Sequence, residues 1–374
     1  SGGLLLGGLL FWVVALVGAS QLALNKDSQI IFGVLATLAA SVWCWRAVAA
    51  RLVWQELDAS KWLLWPMMLI VLFYQLSQQQ IFAAGWQNLA WCAALPAAAA
   101  LLWRDGPSLP PRINRLAHLS LFWMVLLALA MELFWFTRDL PWGMSAWASG
   151  LMMAAGGGLI FLVSEAVHRQ IWPFRVWPGL YASQAMIPVA VALGCLLTLT
   201  NVQDGTVYGQ TYLPLINPLE EGAAFALLGL TIFYRVSRRY FPLQLSVCRP
   251  WPAIALLALG FWWLNGLLLR ALAWYGEVAW NIEALWHSRL IQTTFALVWT
   301  LAALAVMLRA TRRHSRREWL CGAALLGVVI VKLMLVDSAR GGGLARAVAF
   351  IGVAILVLIV GYFSPLPPKA GEEK

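Results

Sequence analysis

"VVIVKLMLVDSARGGGLARAVAF", Val328–Phe350, is apolar over the length of a membrane span and still carries Lys332, Asp337, Arg340 and Arg346. A charge at mid-bilayer depth costs about 2.5–3.5 kcal/mol on insertion scales, so these groups are expected to face protein or water. At about 100° per residue Lys332 and Asp337 point about 140° apart on a helix, and at 1.5 Å per residue they are about 7–8 Å apart along it. They are therefore not a pair on one face. Lys332 is free to snorkel to the membrane surface or to reach a carboxylate on another helix, such as Glu132. Asp337 falls near a helix C-terminus, where the dipole disfavours an anion, and Arg340 or Arg346 is its nearest compensation. Gly341-Gly342-Gly343 permits a tight turn and can offer backbone N–H groups to an anion.

The rest of the chain decides what kind of protein holds such a segment. Of its 374 residues 62% are hydrophobic and 11% charged, against roughly a quarter charged in soluble domains. Apolar runs recur from end to end, which predicts an all-α integral membrane protein and not a soluble protein with one anchor. The net charge of +10 follows from topology-setting lysines and arginines, so no nucleic-acid partner is expected. Five cysteines form no CxxC pair and four histidines are scattered; no metal and no cofactor are expected.

Runs of spanning length fall at about 4–24, 28–45, 61–78, 81–103, 115–136, 146–167, 180–200, 219–236, 252–274, 290–308, 318–336 and 345–363. Each approaches the roughly 20 residues that a helix needs to cross the hydrocarbon. They predict about twelve transmembrane helices arranged as hairpins in a single polytopic domain over 1–374. With the amino terminus inside, 19 of the 26 lysines and arginines lie on the inner side, so both termini are expected in the cytoplasm. Among the inner loops, "RATRRHSRREW" (309–319) reads as a solvated topology determinant, and "RDGPSLPPR" (104–112) as proline punctuation between helices.

The outer side is less ordinary, with larger periplasmic segments expected at 201–218 and 275–289. "MELFWFTRDLPWGMSAW" (131–147) places Glu132 one turn inside the membrane and Arg138-Asp139 at the exit. "NVQDGTVYGQTYLPLINPLEEG" (201–222) ends in a helix start, with Asn217 as the cap, Pro218 at the first position and Glu220 where a capping box wants it. Glu221 is then the acid left to face a cavity. In "RALAWYGEVAWNIEALWHSRLIQ" (270–292), Glu277 and Asn281 are four apart, as are Glu283 and His287, so each pair is expected to share a helix face. Glu283 with His287 has the composition of an acid–base pair. It is equally an interfacial pair on a helix lying along the membrane. Trp135 and Trp147 are spaced as Trp274 and Trp286 are, a weak internal echo. The 23 tryptophans suit interfacial belts, and their faces also suit sugar rings or lipid head groups.

"LPLINPLEEG" (213–222), "WHSRLIQTTFALVW" (286–299), "VVIVKLMLVDSA" (328–339) and "RAVAFIGVAILVLIVGYFSP" (346–365) resemble a bacterial family of large inner-membrane proteins catalogued as domain of unknown function 2339. The resemblance lies in the last third; the first 200 residues match in character, as Trp-rich helical hairpins. Family members are usually longer, so the resemblance implies a carboxyl-terminal portion of a longer chain. It also implies the cytoplasmic membrane of a bacterium. It brings no activity, and it marks Asn217, Gln292, Lys332, Asp337 and Arg346 as motif positions.

Three functions remain open on the sequence. The first is an envelope protein with a periplasm-facing, Trp-lined site that binds or processes a lipid-linked or glycan substrate. Its catalytic candidates are Asp337, Glu283 and His287. Its binding candidates are Lys332, Arg340, Arg346, Glu132, Arg138, Asn217, Gln292, Trp280 and Trp286, with membrane lipids as standing partners. The second is a scaffold for a periplasmic protein. The third is a transporter, for which Asn265, Gln87-Asn88 and Gln184 are polar candidates and "AAGGG" (154–158) a close crossing or an unwound turn.

Overall fold

Apolar runs become helices here because a backbone in lipid must satisfy its hydrogen bonds within its own segment. The computed structural model describes residues 2–23, 27–78, 89–139, 144–207, 211–240 and 251–334, with isolated helical residues between 351 and 362. The helices are α1 (Gly2–Ala23), α2 (Asp27–Leu52), α3 (Gln55–Ala59), α4 (Leu64–Gln78), α5 (Leu89–Arg104), α6 (Pro111–Arg138) and α7 (Met144–His168). They continue with α8 (Pro178–Ala182), α9 (Ile187–Leu199), α10 (Pro218–Tyr240), α11 (Trp251–Tyr275), α12 (Ile282–His287), α13 (Arg289–Arg312) and α14 (Arg316–Lys332). No strand occurs among the described residues.

Seven stretches among them are long and apolar enough to cross a membrane: Gly33–Leu52, Gln55–Ser77, Pro111–Arg138, Ala146–His168, Pro178–Val202, Trp251–Tyr275 and Arg289–Arg312. Each coincides with an expected span. Of the other five expectations, the run at 4–24 gives a shorter apolar stretch, Leu5–Ala19, and that at 81–103 gives Ala90–Arg104. The run at 219–236 forms α10, which is long enough but carries Glu220, Glu221, Arg235, Arg238 and Arg239. The run at 318–336 forms the 17-residue α14, and 345–363 lies mostly outside the described residues.

Among the described residues four helix ends close the same way. Val53, Gln170, Glu277 and His314 take left-handed backbone conformations. The following N–H of Trp54, Ile171, Val278 and Ser315 returns to the carbonyl five residues earlier, which is the closing bond of a Schellman turn. A β-branched residue at such a position is strained, so Val53 is a conspicuous choice. Glu277 in this turn also corrects an expectation. It stands outside any helix and Asn281 caps the next one, so the two do not share a helical face.

The chain divides into two compact units, Ser1–Leu267 and Leu268–Lys374. In the first, Leu35, Leu38 and Val42 of α2 pack with Leu64, Met68 and Leu72 of α4 and Ala94, Ala98 and Leu101 of α5. A second core joins Met153 and Ile160 of α7, Leu193 and Leu197 of α9 and Ala223 and Ala226 of α10. Helices α7 and α10 run parallel with their backbones touching. Gly150 and Gly157 oppose Gly222 and Gly229, and a Cβ on Gly229 would sit 2.6 Å from the Gly157 Cα. Glycine every seventh residue keeps one seam facing the partner helix. The "AAGGG" segment therefore makes a close crossing within a continuous helix. In the second unit Ala303 and Met307 of α13 pack on Leu326 and Gly322 of α14.

Candidate functional site

Two polar clusters stand at opposite ends of the first unit, one at each end of α6. The first begins on α2, where Trp43, Arg46, Ala47 and Ala50 follow the i, i+3, i+4, i+7 pattern of a single helix face. Two alanines on that face leave room beside it. The Schellman turn at Val53 brings Trp54 back against the end of α2, its N–H bonded to the Ala49 carbonyl at 3.0 Å and its Nε1 donating to Glu56 Oε2 at 3.0 Å. Lys61 follows in a single 3-10 turn and is only 5% exposed.

A buried ammonium needs anions. Lys61 Nζ donates to Asp58 Oδ2 at 2.6 Å and lies 2.9 Å from Asp105 Oδ2. Arg46 Nη2 reaches the other Asp105 oxygen at 3.2 Å. Asp105 is held by the turn that ends α5: its carbonyl accepts from the backbone N–H of Ser108 and from the Ser108 hydroxyl. The "RDGPSLPPR" loop thus does more than separate helices; it delivers the carboxylate that closes the network. Arg46 and Arg104 both approach the Trp43 ring, at 5.8 and 5.6 Å from its centroid, within cation–π range.

These groups line a cavity of about 680 Å³ with Trp43, Trp54, Gln55 and the alanines of α2 on its walls. That volume is in the usual range for small-molecule sites. Two acids and two bases give a lining that is neutral overall but offers both donors and acceptors. Among the described residues no three His, Cys, Asp or Glu side chains gather as metal ligands would.

The second cluster is closed. Asn217 caps α10 as the sequence predicts, Oδ1 accepting from the Leu219 N–H at 3.0 Å while Nδ2 donates to the Gly205 carbonyl at 2.8 Å. Glu220, expected as the other half of a capping box, is 1% exposed and faces across the fold. Its oxygens accept from the Tyr212 hydroxyl at 2.7 Å and from Trp263 Nε1 at 2.6 Å. Gln203 Nε2 donates to Ser149 Oγ at 2.7 Å. Residues 201–207 and 211–217 are tied to the helices by these bonds.

A third set of polar contacts marks a break in one span. Between α8 and α9 the chain leaves the helical conformation at Ser183. Gln184 accepts from Arg115 Nη2 at 2.5 Å, and Trp123 Nε1 donates to the Ala185 carbonyl at 3.1 Å. Buried His118 shares a hydrogen bond of 2.8 Å with the Tyr181 hydroxyl.

The other expected site residues fall in both units. Arg138 lies near Asp139 at 3.5 Å, both exposed, and Glu132 is half-buried on α6. Glu283 and His287 are exposed on the six-residue α12, and no ion pair joins them among the described residues. Trp280 is half-buried and Trp286 exposed. Lys332 Nζ donates to the Gln292 carbonyl at 2.9 Å, and Gln292 Nε2 donates to the Trp286 carbonyl at 3.1 Å. These bonds tie α14 to the start of α13. Asp337, Arg340, Arg346 and Gly341-Gly342-Gly343 lie outside the described residues. Arg46, Lys61 and Asp105 are candidate functional residues that the sequence does not single out, the bases being ordinary topology signals there, and neither does it single out Arg270, which is 1% exposed. The available signal was Asp105, an acid directly after Arg104 in a chain that has 16 acids among 374 residues.

The model of a family described as "Predicted membrane protein (DUF2339)" matches residues 4–367. The chain belongs to that family, and the match runs through nearly its whole length, including the first 200 residues, instead of being confined to a carboxyl-terminal portion. No curated protein and no solved structure matches the chain.

Proposed function

We propose that this member of the family is a lipid-handling protein of the bacterial inner membrane that holds the polar head of a lipid or lipid-linked substrate in the Arg46–Lys61–Asp105 cavity. The observation that carries the reading is the cavity itself: about 680 Å³, floored by a buried and charge-compensated Lys61 and walled by two tryptophans. Donors from Arg46 and Gln55 suit phosphate or hydroxyl oxygens, and Asp58 and Asp105 suit amino or hydroxyl groups. Tryptophan rings belong at the lipid–water boundary and also cover sugar faces. By the positive-inside rule this end faces the cytoplasm, so the proposal moves the binding event from the periplasmic side read from sequence to the opposite one. Glu283 and His287, exposed on α12 with no ion pair between them among the described residues, give the outward catalytic reading less support.

The test is native mass spectrometry of the purified protein beside Ala47→Trp, which fills the cavity without touching a charge. The expected result is a defined lipid or lipid-linked species that survives in the wild type and is lost from the variant at equal expression and thermal stability. Identical bound species in both proteins would overturn the proposal.

A second reading, transport, is favoured by the break at Ser183. Transporters place interrupted helices and polar side chains at their substrate paths, and Arg115, His118, Tyr181 and Gln184 gather at this break. In that case Ser183→Cys reacts with a membrane-impermeant thiol reagent at a rate that changes when substrate is added. A rate indifferent to substrate removes this reading.

A further inference from the structure

The second unit carries a separate feature. Along α13, Val298, Leu301, Ala305, Leu308, Arg309 and Arg312 fall within an arc of about 100° at 100° per residue. The first three are exposed. The arc is apolar for about 10 Å, from Val298 to Ala305, at 1.5 Å per residue, and then ends in guanidinium groups. Where it changes character there is a groove of about 350 Å³ lined by Ala305, Leu308, Arg309, Arg312 and Arg313. The small Ala305 side chain makes the space.

The three arginines differ from the bases of the first unit. Arg46 and Lys61 are neutralised by Asp58 and Asp105, whereas Arg309, Arg312 and Arg313 form no ion pair among the described residues. Positive charge at a helix C-terminus is favoured by the dipole, and basic loops set topology. Both effects need only charge. Neither calls for a groove or for an apolar track leading into it.

We propose that this groove seats an acidic phospholipid of the surrounding bilayer, its phosphate diester among Arg309, Arg312 and Arg313 and an acyl chain along Ala305, Leu301 and Val298. Charge complementarity selects the occupant. A zwitterionic lipid would bring an ammonium group to a site with three cations, and a soluble partner would leave the apolar track uncovered. Several guanidiniums provide forked donors that match phosphate oxygens, and basic clusters at the cytoplasmic membrane surface attract acidic lipids in this way.

The experiment titrates detergent-purified protein with phosphatidylglycerol or with phosphatidylcholine of the same acyl chains and counts bound lipids by native mass spectrometry. Wild type is expected to retain phosphatidylglycerol in preference. Removing guanidiniums one at a time (Arg309→Gln, Arg312→Gln, Arg313→Gln) is expected to weaken that binding by about fivefold each. Ala305→Trp closes the groove with every charge in place and is expected to abolish the preference, while Arg238→Gln with Arg239→Gln, on another basic helix end, leaves it intact. Equal retention of the two lipids by wild type would overturn the proposal. So would a preference that survives Ala305→Trp, because charge alone would then account for the binding.

Discussion

The two ends of the first unit hold comparable numbers of polar side chains and differ in what those side chains leave open. At one end Tyr212 and Trp263 satisfy Glu220, and Asn217 bonds the Leu219 N–H and the Gly205 carbonyl. At the other, Arg46, Asp58, Lys61 and Asp105 compensate one another around a space of about 680 Å³. A buried polar network that closes on itself fixes a fold. One built around a void fixes the walls of a site. What separates them is the side chains between the polar groups: alanines 47, 49 and 50 at the open end, tyrosine and tryptophan at the closed one.

Substitutions at the two ends test that contrast. The largest effect is expected at the open end. Lys61→Ala leaves two carboxylates facing each other, and loss of one partner from a buried ion pair costs about 3–5 kcal/mol; thermal unfolding in detergent reads it. If the network serves mainly to shape the cavity, the double change Lys61→Met with Asp105→Leu recovers much of that loss while lipid binding stays absent. Next is the backbone seam: Gly157→Ala places a Cβ on the Phe225 carbonyl and is expected to cost at least the roughly 1–3 kcal/mol typical of overpacking.

At the closed end, Glu220→Ala removes the acceptor of two hydrogen bonds and is expected to lower stability by about 1–3 kcal/mol through the donors left unsatisfied, and Asn217→Ala by about 1 kcal/mol as a lost cap. Neither should change the bound lipids. A loss of bound species at unchanged stability from either would make the closed end the site. The smallest effects are expected from Glu283→Ala and His287→Ala, both exposed on α12, each within about 0.5 kcal/mol of wild type.

The helices were legible because length and hydropathy act locally: the seven stretches among the described residues that are long and apolar enough to cross a membrane lie at expected spans. The cap at Asn217 was legible for the same reason, since its partner is two residues away. The role of Glu220 was not legible because its partners, eight and 43 residues distant, are set by packing and not by spacing. Asp105 was read as loop punctuation because nothing near it in sequence shows that Arg46 and Lys61 come to it from α2 and the turn after α3. The glycine seam was half visible: Gly157 suggested a close crossing, but that its partner is Gly229 is a tertiary fact.

Photo-cross-linking is the most direct test of the central claim. Membranes containing the protein would be labelled with a phospholipid that carries a diazirine at its head group, and the modified peptides mapped. The account predicts labelling concentrated between Trp43 and Lys61 and around Asp105, and lost in Ala47→Trp. Labelling concentrated instead at 201–222 or 275–289, and unchanged in that variant, would contradict it.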